Sequence, residues 1–201
     1  MPETYLVRHG RTLVSAAYRV NGDPTIPVPL DETGQAQCQQ LATAPWLDTI
    51  ACCVTSRFPR ASQTADLLLA GRAPERVIDP RLDEIAYGTF EGGPWLTYGA
   101  WLDAHGRFVR PPGAPESLHE ATLRLLEGLA AALTLPGPRL VVGHGLLVSV
   151  VLAARERPTS LLTSPRLPEV PYVTPVLLAD DELAGLLGRT RKALRPYETR
   201  P

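Results

Sequence analysis

The sequence predicts a single α/β domain over residues 1–201, in which helices cover both faces of a mostly parallel sheet in a three-layer sandwich. Short apolar runs with the length of buried strands alternate along the chain with amphipathic segments of helical period. This alternation is typical of a parallel sheet with crossover helices. The 201 residues, of which 44% are hydrophobic, are enough to bury one core of ordinary size.

The first half of the chain supplies three short apolar runs that read as strands. These runs are Thr4–Val7, Ile50–Thr55 and Val77–Ile78. Asp31 is a suitable N-cap for a helix that runs to about Thr43, and a second helix is expected over Arg60–Ala70, ending at Gly71. The Pro- and Gly-containing segment Asn21–Pro29 is expected to form a loop.

The second half begins with the region Ala86–Pro115, which is rich in Gly and Pro and is expected to be irregular. Trp95, Tyr98 and Trp101 recur there at helical spacing and are expected to face the core. The remaining predicted elements are a helix from the capping box at Ser117 to about Leu133, a strand over Arg139–Val142, a turn at Gly143–Gly145, a helix over Leu146–Ala154, a Pro-rich loop at about 156–171, and a terminal hairpin made of Tyr172–Ala179 and Glu182–Arg189.

Charge and cysteine usage restrict the partners and the compartment. The 20 basic and 21 acidic residues leave a formal net charge of −1, so we expect neither a nucleic-acid nor a membrane partner. The longest apolar stretch, Leu140–Ala154, is shorter than a membrane span. Cys38, Cys52 and Cys53 lack metal-ligand spacing and are expected to be buried and reduced. With no signal peptide expected, these features predict a cytoplasmic protein.

Basic side chains follow three of the predicted strands. Arg8 and His9 follow the first strand, Arg57 and Arg60 follow the Cys-Cys strand, and His144 follows the strand that ends near Val142. Because ligands of such sheets bind beyond the carboxyl ends of the strands, these groups are expected to form one anion site beside helix N-termini. The sequence therefore predicts a phosphate pocket built without a metal.

Six segments, taken in order, resemble the motifs of the histidine phosphatase superfamily, also called the phosphoglycerate-mutase-like family. They are Leu6–Thr12, Pro29–Gln37, Ser56–Ala65, Leu82–Gly92, Pro111–Ser117 and Val141–Gly145. The resemblance implies a phosphoglycerate-mutase-like fold and phosphoryl transfer through a phosphohistidine. Metal phosphatases need clustered histidine and carboxylate ligands, and because only four histidines are present we expect no metal, and no other cofactor, to take part.

The resemblance assigns the main roles in this pocket. It implies that His9 is the nucleophile, that Arg8 and Arg60 hold the phosphoryl oxygens, and that His144 donates a hydrogen bond to the transferring group. For Arg57, a solvated surface position is an equally good reading. The family frame also makes Glu84 the general acid and base, while the adjacent Asp83 is the alternative carboxylate.

Four further residues are predicted to bind the phosphate or the rest of the substrate. They are Thr12, Ser15, Arg11 and Gly145. Ser15 stands where the family often has Asn, and Arg11 where acidic or amide residues are frequent. The simpler interpretation is that Thr12 and Ser15 cap local backbone and that Arg11 lies at a solvated surface.

The function predicted from these residues is hydrolysis of a small phosphorylated metabolite by a metal-independent phosphomonoesterase, acting as a monomer or homodimer. A cysteine phosphatase is excluded because no Cys-x5-Arg motif exists. A phosphoglycerate-type mutase is the first alternative; as the resemblance implies, such mutases are longer chains that shield the intermediate. A non-catalytic phospho-ligand binding or regulatory protein is the second alternative.

Overall fold

The computed structural model describes residues 2–163 and 167–197 and organises them around a five-stranded sheet. The strands are β1 (Glu3–Arg8), β2 (Cys52–Thr55), β3 (Glu75–Ile78), β4 (Arg139–Gly143) and β5 (Val176–Ala179). Their spatial order is β3-β2-β4-β1-β5. Only β5 runs antiparallel to its neighbour among these pairs, so the predicted mostly parallel α/β sheet is confirmed.

Helices follow most of the strands. The α-helices of the described residues are α1 (Leu13–Ala16), α2 (Glu32–Leu41), α3 (Pro59–Leu68), α4 (Trp95–His105), α5 (Leu118–Ala132), α6 (Gly145–Glu156), α7 (Ser160–Thr163) and α8 (Asp180–Leu194). Short 3-10 helices cover Pro45–Thr49, Pro80–Leu82, Gly88–Phe90 and Arg195–Tyr197. The predicted caps are confirmed: Asp31 accepts from the Gly34 amide at 2.7 Å, and Ser117 and Glu120 form the capping box of α5.

The sheet separates two apolar cores, as expected for three layers. Successive side chains of a strand point to opposite faces, and in β4 Leu140 packs with α2 and α3 whereas Val141 packs with α5, α6 and α8. Cys52 and Cys53 likewise lie in different cores, and all three cysteines are buried and free. Across residues 2–163 and 167–197, no helix combines the length and apolar character that crossing a bilayer requires.

The predicted terminal hairpin is wrong in its second arm. Val176–Ala179 is the strand β5, but Glu182–Arg189 lies within the helix α8. The acidic pair Asp180 and Asp181, which resembles a turn, occupies the first turn of α8, where negative charge is favourable. The buried positions of α8 follow a helical period: Leu183, Leu186, Leu187, Thr190 and Leu194.

The region predicted to be irregular, Ala86–Pro115, contains the helix α4. Pro94 precedes its first turn, and Gly106, with φ of 78°, ends it. Tyr98 is buried as expected, but Trp95 keeps 38% of its surface exposed, so the aromatic stripe faces the core only in part. The Pro-rich loop at about 156–171 includes the short helix α7, and residues 164–166 lie outside the described residues.

Candidate active site

The carboxyl ends of three adjacent parallel strands bring the predicted residues to one edge of the sheet. Central β4 lies between β1 and β2. Arg8 ends β1 directly beside Gly143 of β4, and the backbone N–H of His9 donates to the Gly143 carbonyl at 2.9 Å. Helices α3 and α6 begin at this same edge, so the positive ends of their dipoles border the site.

A buried arginine connects the two histidines. Arg60 Nε–H donates to His9 Nε2 at 3.0 Å, and a terminal N–H of Arg60 donates to His144 Nδ1 at 3.2 Å. Arg60 is 4% exposed and His144 is fully buried. His144 therefore lies behind Arg60 and does not reach the cavity wall.

Because a guanidinium only donates, these contacts determine the tautomers of both imidazoles. His9 accepts at Nε2 and therefore carries its proton on Nδ1, which lies 2.8 Å from the Gly10 carbonyl oxygen. His144 accepts at Nδ1, so its Nε2–H donates to Ser56 Oγ at 2.7 Å. Nε2 is thus the ring nitrogen of His9 that bears the lone pair, and in this structure that lone pair accepts the hydrogen bond from Arg60.

Both imidazoles are held in the neutral form. Burial, followed by the charge of Arg60, lowers the pKa of His9 and the pKa of His144 well below the usual value. Burial also lowers the pKa of Arg60 to about 10, which leaves the guanidinium charged at neutral pH. The site therefore presents a neutral imidazole next to a fixed cation.

Asn21, supported by Glu91, orients the terminal N–H groups of Arg60. The motifs in the sequence do not single out Asn21. The amide oxygen of Asn21 accepts from Arg60 at 2.5 Å, and its backbone carbonyl accepts at 3.0 Å. Glu91 in turn accepts from the Asn21 side-chain amide at 3.0 Å and from the Gly22 backbone N–H at 2.9 Å. A Cβ at Gly22 would lie 2.0 Å from the Ile85 carbonyl oxygen, so only glycine allows the backbone at this position to pass so close to that of Ile85.

Arg8 reaches the same pocket from β1. One of its terminal N–H groups donates to the Val170 carbonyl at 2.5 Å, and its guanidinium lies 3.9 Å from the centre of the Tyr172 ring. Its Nε–H is buried and has no hydrogen-bond partner among the described residues. A side chain at Gly145 would begin 3.5 Å from this Nε, so glycine keeps the space beside it open for an anion.

The two neighbouring carboxylates face different surroundings. Asp83 accepts from the backbone N–H and the side chain of Arg57, with an Arg57–Asp83 salt bridge of 2.6 Å. Glu84 instead lies on the cavity wall, where desolvation by burial raises its pKa against the opposing charge of Arg60. The ion pair therefore occupies both Arg57 and Asp83, whereas Glu84 lines the cavity with its pKa raised by desolvation.

The remaining predicted binding residues divide between two places. Thr12 and Ser15 form the capping box of α1, as in the simpler interpretation, and both also line the cavity together with Gly145. The structure does not bring Arg11 to the cavity. Its guanidinium donates to Asp31 at 2.9 Å and to Thr33 at 2.6 Å, both at the start of α2.

These side chains surround a cavity of about 290 Å³. This volume is near the lower end of the range for small-molecule sites, roughly 300–1,000 Å³. Within the parts of the chain that the structure describes, no group of three or more histidine, cysteine or carboxylate side chains could hold a metal ion. The arrangement combines a neutral imidazole, two arginines and a desolvated carboxyl group, which suits transfer of a small anionic group.

Comparison with known proteins gives a consistent family match. The model of the histidine phosphatase superfamily, branch 1, matches residues 4–170. The chain is 34% identical over 164 residues to a probable phosphoglycerate mutase GpmB of Cronobacter sakazakii, a match that covers 76% of this chain and 75% of that protein.

Solved structures show the same architecture. An Escherichia coli protein named as a candidate alpha-ribazole-5'-P phosphatase is 25% identical, with a TM-score of 0.66 over 76% of this chain and 78% of that one. YhfR of Bacillus stearothermophilus, at 24% identity, superposes with a TM-score of 0.74 over 88% of this chain and 90% of that one. The second likeness concerns the fold alone, and it agrees with the five-stranded sheet described above.

Proposed function

Since the chain belongs to the histidine phosphatase superfamily, branch 1, we propose that it is a phosphomonoesterase that works through a phosphohistidine on His9. The superfamily is enzymatic and acts on small phosphorylated substrates. The observation that carries the proposal is the position of His9 Nε2. It is a neutral acceptor 3.0 Å from Arg60, on a side chain that lines the same cavity as the desolvated Glu84.

In the first step the Nε2 lone pair of His9 forms a bond to phosphorus while the bond from phosphorus to the ester oxygen breaks. The hydrogen bond from Arg60 to Nε2 is exchanged for one to a phosphoryl oxygen, which frees the lone pair. The positive charge of Arg60 then lies next to the phosphoryl oxygen on which negative charge develops in the transition state. Glu84, protonated at this stage, gives its proton to the departing alkoxide. The alcohol leaves, and the Glu84 carboxylate remains.

In the second step a water molecule replaces the alcohol. Glu84 removes a proton from this water as its oxygen bonds to phosphorus, and the bond from phosphorus to His9 Nε2 breaks. Inorganic phosphate leaves, Glu84 is protonated again and His9 regains its lone pair. We assign Arg8, Arg60 and the pocket-lining Thr12, Ser15 and Gly145 to phosphate binding.

We assign His144 to positioning. Its Nδ1 accepts from Arg60, and its Nε2–H is engaged with Ser56, so in this state its ring supports the guanidinium from behind. Arg11 is left out of the phosphate site because Asp31 and Thr33 occupy its guanidinium.

We further propose that water, rather than a second substrate molecule as in a mutase, accepts the phosphoryl group. With 3-phosphoglycerate and a bisphosphoglycerate primer, in the presence of a chelator, we expect free phosphate to account for most of the substrate consumed. Rapid isomerisation with little free phosphate would favour the mutase. Failure of every phosphomonoester in a broad panel to turn over, together with no trapped phosphoenzyme, would favour a binding protein. Loss of activity in the chelator, restored by a divalent cation, would contradict the metal-independent chemistry.

The Arg60→Lys variant is expected to lower kcat/KM for phosphomonoesters by roughly 100-fold. Lysine keeps the charge but loses the planar fork that contacts His9, His144 and Asn21 together. Steady-state kinetics measures this loss. The free energy of unfolding, measured by thermal unfolding, should fall by less than the free-energy equivalent of the loss in kcat/KM, since the charge stays in place. Arg11→Lys serves as the matched control and should retain wild-type kinetics. Equal losses in the two variants would contradict the assignment.

A further inference from the structure

The cavity continues past the phosphate site into a mostly apolar region. Its wall beyond the catalytic groups is formed largely by hydrocarbon and aromatic side chains, among them Val14, Tyr18, Trp95, Leu146 and Leu167. A phosphoryl group seated on Arg8, Arg60 and His9 would direct its ester oxygen, and the alcohol attached to it, toward this region. The alcohol portion of the substrate is therefore the part that these side chains contact.

Two aromatic residues that line the cavity are joined through their backbones. Tyr18 adopts φ of 53°, an unusual conformation for a residue with a side chain, and its carbonyl accepts from the Trp95 N–H at 2.7 Å. An isolated bridge between Arg19 and Pro94 pairs the same two segments. Tyr18 is 70% exposed and Trp95 is 38% exposed. A strained residue such as Tyr18, whose exposed ring lies beside a site, is typical of a ligand contact rather than of core packing.

One acidic side chain on this wall lies close to the phosphate site. Besides the phosphate-binding pair, the described residues bring one cation to the wall, Arg19, whose Nε–H is engaged with the Gly92 carbonyl at 2.6 Å. Glu169 also lines the cavity, with its carboxylate 3.6 Å from Arg8. A substrate carboxylate would meet this like charge close to the phosphoryl group.

We propose that the alcohol released by this enzyme is uncharged and largely apolar, about the size of one ring system, and that it packs against Tyr18, Trp95 and Leu146; this presupposes the phosphomonoesterase activity proposed above. The cavity volume of about 290 Å³ limits the size, and Glu169, whose side chain is 70% exposed, places a negative charge near Arg8 that disfavours a substrate carboxylate there.

The test compares three esters of primary alcohols, so that the chemical reactivity of the leaving groups is similar: 2-phenylethyl phosphate, ethyl phosphate and 3-phosphoglycerate. The expected kcat/KM is roughly tenfold higher for the phenylethyl ester than for the ethyl ester, because burial of a ring is worth about that factor. The value for 3-phosphoglycerate should be roughly threefold or more below that of ethyl phosphate.

Two matched pairs of variants identify the side chains that are responsible for these preferences. Trp95→Ala should reduce the preference for phenylethyl over ethyl phosphate by roughly threefold or more. Leu96→Ala changes a 68% exposed neighbour on the same helix and should leave the preference unchanged. Glu169→Gln should raise kcat/KM for 3-phosphoglycerate relative to ethyl phosphate, whereas Glu75→Gln, on the exposed edge strand β3, should not.

The outcomes separate the two proposals. If 3-phosphoglycerate is hydrolysed faster than the phenylethyl ester, or if Trp95→Ala leaves the preference intact, the apolar alcohol site is wrong although the phosphomonoesterase stands. If none of the three esters, nor any other phosphomonoester, releases phosphate, the proposed function itself fails.

Discussion

The His9→Ala variant is expected to lower kcat/KM for every phosphomonoester by at least about a thousandfold, because it removes the nucleophile that splits the reaction into two steps. Among the described residues that line the cavity, His9 is the only histidine. His144 is fully buried, with both ring nitrogens engaged by Arg60 and Ser56. Initial rates of phosphate release measure the effect.

The control for this variant is His105→Ala. His105 is exposed near the end of α4 and its Nδ1 lies 2.9 Å from the Trp101 carbonyl, so its loss should leave the kinetics unchanged. A His9→Ala enzyme that kept more than about a tenth of the wild-type activity would rule out the phosphohistidine route.

The Glu84→Gln variant is expected to lower kcat by roughly 100-fold to 10,000-fold, the range that general acid–base catalysis contributes. Glutamine preserves the shape of the side chain but can neither protonate the leaving oxygen nor take a proton from water. Activated esters whose leaving groups need no proton should lose less than alkyl esters. A uniform loss across both kinds of ester would contradict the assignment of Glu84 as the acid.

The pH profile of kcat/KM shows in which direction activity changes as Glu84 and His9 titrate. Desolvation raises the pKa of Glu84, so the reactive protonated form persists above the usual carboxyl range and activity falls as the pH rises through that pKa. Burial lowers the pKa of His9 well below 6.5, so the nucleophile stays neutral and the acid limb lies well below 6.5. In Glu84→Gln the alkaline limb attributed to this carboxyl should disappear.

Asp83→Asn is the matched control for Glu84, because the two carboxylates are neighbours with different partners. Asp83 is bound by the backbone and side chain of Arg57, which is half exposed. Its loss should lower the free energy of unfolding by about 1 kcal/mol and leave kcat within a few-fold of wild type. A chemical defect in Asp83→Asn as large as that in Glu84→Gln would exchange the roles of the two residues.

The part of the fold that surrounds the site could be predicted from local sequence because local and tertiary preferences agree there. The apolar runs before His9, Ser56 and His144 become adjacent parallel strands, and the caps at Asp31 and Ser117 begin helices as expected. Once three carboxyl ends share one edge, the residues that follow them must lie close together.

The wrong predictions arose where one local pattern suits two structures. Asp180 and Asp181 are suitable for a turn and equally for the first turn of a helix, and the burial of Leu183 and Leu187 against the sheet decides for the helix α8. Gly and Pro around Trp95 suggested irregular chain, although Pro94 and Gly106 begin and end the helix α4.

Some features of the site depend on contacts that no local pattern encodes. Asn21 lies in a segment whose composition indicates only a loop, yet it holds Arg60, which is 39 residues further along the chain. The position of His144 behind Arg60, rather than on the cavity wall, likewise follows from its contact with Ser56, 88 residues away. Contacts between residues this far apart along the chain cannot be predicted from short sequence motifs alone.

The most direct test of the central claim is to trap the phosphoenzyme. Rapid denaturing quench of turnover at high pH, with a phosphorus-labelled substrate, preserves a phosphohistidine, and peptide mapping with phosphorus NMR locates the phosphoryl group. The tautomer of His9, which carries its proton on Nδ1, predicts label on His9 at Nε2, stable to base and lost in acid. Turnover without label on His9, or label on His144 or on a carboxylate, would contradict the account.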